Sequence, residues 1–248
     1  MINETFYKKH VRRYGNPDLP AILCIPAFGD SSEVYEPLLE TKLINSYSLV
    51  LTELPGFGGS EPLDEPTTLE NLARVVHSIS KRENAQIVIA HSVASIITSL
   101  AAKQPSSIID TIISLEGNLT PEDAYHSGTA ASFDTAVEFH KTFLERLEGL
   151  EAEDPGIVRF RAAVAKANST SLWELGCDAH NFSSKHSPGE VLCQANKVFY
   201  FYDPKNCPEA TLIWLKENPI NRVQLDGVSH WMSHHQPKLI AEKILEVL

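Results

Sequence analysis

Six short apolar runs, separated by segments of helical character, constrain the fold of this chain more than any other feature. They cover 21–26, 48–54, 86–90, 111–115, 197–202 and 221–225, and are rich in Ile, Val, Leu and aromatic residues. Continuous apolar runs of this length predict strands buried on both faces. Between two of them, Thr67 and Glu70 form a capping-box pattern ahead of Leu72, Val75, Val76 and Ile79. A helix entered at Val93 should end near Lys103, just before Pro105, and Pro237 can open a last helix with Leu239, Ile240, Ile244, Leu245 and Leu248 on its apolar face. Alternating strand and helix predicts an α/β fold, with a mostly parallel central sheet and helices on both faces.

The alternation breaks between Asn118 and Ala195. Thr120, Pro121 and Asp123 read as a helix start, and Phe133, Val137, Phe143, Leu144, Leu147 and Leu150 recur at helical spacing. Residues 154–188 have weak strand character. The expected organisation is a core domain formed by 1–117 and 196–248, interrupted by a helical insertion at 118–195. The apolar stripe of that insertion suits a lid over the sheet, and equally suits packing with no further role.

Composition narrows the function. With 248 residues, 43% hydrophobic and 21% charged, the chain can bury a full core and is not disordered. A net charge of −11 argues against nucleic acid or an anionic membrane as partner. The basic cluster between Lys8 and Arg13 reads as the solvated face of a strand. Cys24, Cys177, Cys193 and Cys207 show no paired spacing, which suits a reducing compartment. The start MINETFYKKHVRR lacks the apolar stretch of a signal peptide. The uncharged stretch 84–102 is interrupted by Gln86, His91, Ser92, Ser95, Thr98 and Ser99, so it divides into a strand and a helix rather than spanning a membrane. These features place the chain in the cytoplasm, with no membrane partner. Its oligomeric state is open.

The strongest local signal for chemistry is Ile87-Val88-Ile89-Ala90-His91-Ser92-Val93-Ala94, a strand running into a helix with a serine at the junction. A sharp turn there lifts the Ser92 hydroxyl clear of the sheet, provided that the positions two before and two after are small; Ala90 and Ala94 meet that demand. The Val93 N–H, at the helix N-terminus, then faces a developing oxyanion. A serine that merely caps a helix is the plainer reading of this segment alone. Three further segments shift the balance. Cys24-Ile25-Pro26-Ala27-Phe28-Gly29-Asp30 follows the first core strand, and Leu54-Pro55-Gly56-Phe57-Gly58-Gly59-Ser60 follows the next. Glu61 breaks the pattern a dinucleotide site would need. Leu225-Asp226-Gly227-Val228-Ser229-His230-Trp231 places a histidine between the last strand and the last helix.

With these segments in this order, the chain resembles the α/β-hydrolase family over essentially its whole length. The resemblance implies Ser92 as nucleophile, His230 as general base and then general acid, and Phe28 and Val93 as oxyanion N–H donors. Pro26-Ala27 stands where the family usually has His-Gly. A serine nucleophile argues against the dehalogenase and epoxide hydrolase chemistries of the fold, which use a carboxylate. For the acid, many members use the loop after the strand at 198–202, which here reads Asp203-Pro204-Lys205-Asn206, with Asn206 at the acid's usual place. Others take it one strand earlier, where Glu116 ends an apolar strand. Glu116 is the favoured acid and Asp203 the alternative.

The implied activity is hydrolysis of a carboxylic ester or thioester of a small-molecule acyl substrate, with no metal or organic cofactor. Cleavage of a carbon–carbon bond, acyl transfer, or ligand binding without catalysis are the alternatives on the same fold. Cys177, His180, His186 and Cys193 do not form a recurrent zinc pattern. His234 and His235 read as surface residues of the loop before Pro237, and His91 and Trp231 as packing groups that could also wall the site.

Overall fold

In the computed structural model, residues 2–151, 154 and 156–248 are described. One sheet holds seven strands: β1 (Val11–Tyr14), β2 (Ala21–Ile25), β3 (Ser48–Thr52), β4 (Ile87–His91), β5 (Thr111–Leu115), β6 (Lys197–Tyr202) and β7 (Asn221–Gln224), in the order β1-β3-β2-β4-β5-β6-β7. Only β1 runs antiparallel to its neighbour. The fold is therefore the expected α/β architecture. β2, β3 and β5 are buried along their whole length, as continuous apolar runs require. Each Leu or Ile in them contributes about 1.5–3 kcal/mol by leaving water. β7 departs from the expectation: only Val223 is even half-buried, because this strand lies at the sheet edge with polar residues on either side of the valine.

The basic cluster near the N-terminus also differs from its strand reading. Lys8, Lys9 and His10 end helix α1 (Glu4–His10), and only Arg12 and Arg13 lie on β1. Asn3 caps that helix by accepting the Phe6 N–H, and the cations at its C-terminus suit the helix dipole. Helix α2 (Leu69–Glu83) is capped by Thr68, one residue later than the sequence pattern suggested; its hydroxyl accepts the Asn71 N–H. Thr67 instead donates its backbone N–H to Glu174 at 2.7 Å, and Leu69 donates to Asp178 at 2.8 Å. Helix α3 (Ala94–Ala102) follows β4.

Between β5 and β6 the chain forms short 3-10 turns at Pro121–Ala124 and Ser127–Ser132, then helices α4 (Ala136–Leu150), α5 (Gly156–Lys166), α6 (Ser169–Lys185) and α7 (Pro188–Leu192). Thr120 and Asp123 do form a capping box on the first turn. The buried face of α4 is Phe139, Phe143 and Leu147. Phe133 precedes the helix, and Val137 points outward at 73% exposure, so the buried stripe of the helix begins at Phe139 rather than at the positions read from sequence. Glu174 and Asp178, which hold the start of α2, both lie on α6 and tie this insertion to the sheet layer. Helices α8 (Glu209–Glu217), α9 (Met232–His235) and α10 (Pro237–Val247) complete the chain.

Candidate active site

The register of the central strands sets the site. Ala90 pairs with Ser114 and His91 with Leu115, while Leu115 pairs with Phe201. The ladder continues one step further: Ser92 N–H donates to Leu115 O at 3.0 Å, and Glu116 N–H donates to Phe201 O at 2.9 Å. Ser92 and Glu116 thus leave adjacent strands at the same carboxyl-end rim, where ligands gather in such sheets. Both hold left-handed backbone, with φ of 55° and 42°. Non-glycine residues seldom adopt it, and it costs about 1–3 kcal/mol at sites where the surroundings enforce it.

At Ser92 the enforcement comes from packing. Ala90 and Ala94 are fully buried on either side, and a Cβ on nearby Gly117 would collide with the hydroxyls of Ser114 and Ser95. Val93 opens α3, so its N–H lies in the first turn, where no intrahelical acceptor exists. Phe28 follows β2 and is 3% exposed; the chain turns there through Gly29, at φ 68°, with the Asp30 N–H bonded to Ala27 O.

Glu116 joins the strand beside Ser92 to the loops after β6 and β7. Its Oε2 lies 2.6 Å from His230 Nδ1. Its Oε1 accepts the Asp203 N–H at 3.1 Å and the Asn206 side-chain amide at 2.9 Å. Asp203 faces elsewhere. Its Oδ2 accepts the N–H groups of Gly227 at 2.6 Å and Val228 at 3.1 Å, and its Oδ1 accepts from Lys205. The alternative acid therefore braces the loop that carries His230 rather than touching the imidazole. Asn206, at the family's usual acid position, spans Glu116 and the Val228 carbonyl.

A narrow cleft is lined by Ser92, His230, Ala27 and Phe28 from the sheet layer, and by Asp123, Tyr125, His126, Ser127 and Phe160 from the insertion, with Trp231 beside the histidine. Tyr125, His126 and Phe160 are not legible in the sequence as site residues, because no motif marks where the insertion folds back. The Tyr125 hydroxyl reaches to 3.5 Å from His230 Nδ1. Burial, reinforced by the Glu116 charge, raises its pKa, so it stays a proton donor. His126 is pushed down to about 3 by burial, then by His230 and Arg146, and is neutral. His91 is 1% exposed and packs its ring 4.5 Å from that of His230; burial holds it well below the ordinary histidine range.

Asp30, fully buried beside the Phe28 turn, forms a two-pronged ion pair with Arg159 of α5, both contacts at 2.7 Å. His234 and His235 correct the surface reading: they form the end of α9 and are half-buried, and burial lowers the pKa of His234. Cys177 and His180 lie on α6, and among the described residues no three His, Cys, Asp or Glu side chains gather as a metal set. No helix among those residues is long and apolar enough to cross a membrane.

Comparison with known proteins agrees with this fold. The model of the α/β hydrolase fold family matches residues 20–171. No curated protein matches the sequence. Among solved structures, a hydrolase from Oleispira antarctica superposes with a TM-score of 0.75 at 15% identity, covering 98% of this chain and 96% of that one. The enol-lactonase from Burkholderia xenovorans gives 0.73 at 15% identity, with 96% and 95% covered. A thermophilic esterase from Thermogutta terrifontis gives 0.72 at 16% identity, with 96% and 91% covered. At these identities the likeness is one of fold.

Proposed function

Because the chain belongs to the α/β-hydrolase family, we propose that it is a serine hydrolase that cleaves a carboxylic ester or thioester through an acyl-enzyme on Ser92. One observation carries this reading: a serine in the strained strand-to-helix turn and a histidine held at 2.6 Å by a buried carboxylate line the same cleft. The esterases and lactonases among the similar structures support the same class of chemistry.

In this reading Glu116 accepts the His230 Nδ1 proton and leaves Nε2 free as the base. Ser92 Oγ attacks the substrate carbonyl as its proton passes to Nε2. The N–H groups of Val93 and Phe28 receive the negative oxygen, and such donors are worth about 3–4 kcal/mol each in the transition state. The imidazolium then returns its proton to the departing alcohol or thiol. A water, deprotonated by His230, attacks the ester on Ser92 and releases the acid. The insertion at 118–195 acts as a cap, since Tyr125, His126 and Phe160 close the cleft from that side. Four unpaired cysteines support a reducing, cytoplasmic setting.

A fluorophosphonate probe tests the reading. The native protein should be labelled at Ser92 and should hydrolyse p-nitrophenyl acetate. Ser92→Ala should melt as the native protein does, take no label and lose roughly a thousandfold or more in turnover. A native protein left unlabelled, or a variant retaining a tenth of the activity, would remove Ser92 as nucleophile.

A further inference from the structure

Two polar atoms of residues that line the cleft have no hydrogen-bond partner among the described residues. Trp231 is 3% exposed and lines the cleft, and its indole Nε1–H is buried without an acceptor among the described residues. An indole N–H can only donate. His126 lines the cleft from the insertion, and its Nδ1 is likewise buried without a partner. Phe160 sits between them, its ring 5.1 Å from that of Trp231 and 6.0 Å from that of His126. Two orphaned nitrogens therefore flank one aromatic wall of the same space. Buried polar groups are almost always satisfied in native proteins, so a pair of them in the cleft that holds Ser92 and His230 points to a ligand atom.

The surroundings decide what that atom is. Among the described residues that line the cleft there is no lysine or arginine. The one carboxyl there, Asp123, is already occupied by Thr211, Thr120 and the Leu119 N–H. His126 itself stays neutral. An anionic substrate group would lose its water without gaining a counter-charge. An uncharged oxygen fits: an ether, carbonyl or hydroxyl accepts from the indole, and a hydroxyl satisfies either tautomer of His126. The walls left for the rest of the molecule, Phe28 and Phe160, are apolar.

We propose that Trp231 and His126 form a recognition point for a second, uncharged oxygen of the substrate, so that the protein selects oxygen-bearing esters over their alkyl counterparts. This rests on the hydrolase reading. The test is the ratio of kcat/KM for matched esters in which one ether oxygen replaces a methylene. On the acyl side the pair is p-nitrophenyl methoxyacetate and butanoate; on the alcohol side it is 2-methoxyethyl acetate and butyl acetate. Dividing each variant's ratio by the native ratio cancels the intrinsic reactivity of the esters.

Trp231→Phe keeps an aromatic body and removes the N–H; His126→Phe does the same at the second position, should the first variant fold poorly. In at least one of the two ester pairs, the oxygen preference should fall about tenfold in the Trp231 variant and severalfold in the His126 variant, as for loss of a buried hydrogen bond. The responding pair identifies the side of the scissile bond that carries the oxygen. Ratios that stay within about twofold of native in both pairs, while Ser92 is labelled and esters turn over, overturn the recognition point alone. No turnover of any ester and no labelling of Ser92 overturn the hydrolase reading and this inference with it.

Discussion

Replacing Glu116 by glutamine changes one atom and should disable the site through a tautomer. The carboxylate is used on both oxygens: Oε1 is pinned by the Asp203 N–H at 3.1 Å and the Asn206 amide at 2.9 Å, while Oε2 faces His230 Nδ1 at 2.6 Å. A glutamine has only one oxygen. The two donors around Oε1 will claim it, because an amide nitrogen there would face two N–H groups. The NH₂ is then forced towards His230 Nδ1 and must donate to it. His230 would carry its proton on Nε2, the nitrogen that has to receive one from Ser92. An amide in place of the triad acid also fails to stabilise the imidazolium, and changes of this kind cost roughly 10⁴ in kcat, or about 5 kcal/mol. Steady-state hydrolysis of p-nitrophenyl acetate, run beside a thermal melt, measures this directly. The expected result is a loss of three to four orders of magnitude, roughly, with a fold that still melts cooperatively. A loss of less than about tenfold in a folded variant would refute the pinning argument and with it the role of Glu116.

Two further outcomes concern other buried acids. Glu53, buried and bonded to the Ser32 N–H and hydroxyl, is raised by burial from 4.5 to about 7. Below pH 4.5 its carboxyl is protonated both folded and unfolded and costs nothing; between 4.5 and 7 only the unfolded chain ionises it, so stability falls as pH rises, and above 7 the loss of about 3 kcal/mol is complete. Glu53→Gln should therefore lose less melting temperature than the native protein between pH 5 and pH 8, and parallel curves would contradict this. Asp203→Asn should lower stability by about 1–3 kcal/mol, because one oxygen cannot serve Gly227, Val228 and Lys205 together. Its effect on kcat should be far smaller than that of Glu116→Gln, and the reverse ranking would exchange the two acids.

The parts that were legible in the sequence are those written in short segments. The strands at 21–25, 87–91 and 111–115 announce themselves because a strand covered on both faces tolerates only apolar residues. The serine turn is legible because sterics demand small neighbours at 90 and 94. Glu116 could be singled out because a carboxylate ending such a strand has little other reason to be there. What the sequence hid is tertiary. The Arg159–Asp30 pair joins residues 129 positions apart, and nothing near either partner signals the other. Tyr125 and His126 reach the cleft only because α6 packs the preceding turns against the core. The capping error at Thr67 has the same origin: Glu174, far along the chain, satisfies that N–H, leaving Thr68 as the cap.

The histidine's place in the chain also bears on when activity is gained and lost. Ser92 and Glu116 are set by interior strands, whereas His230 arrives 114 residues after Glu116, on a loop that follows the least buried strand of the sheet. On the proposed mechanism, a nascent chain can shape Ser92 and its turn well before it holds His230, so the serine stays inert until the segment that carries His230 docks. On warming, the order reverses. An edge strand with one half-buried side chain opens at lower free energy than the interior does. Once it detaches, the Asp203 brace and the Glu116 contact go together. Heat inactivation of this protein should thus precede its unfolding, as a reversible loss of reactivity in a molecule whose core is still intact.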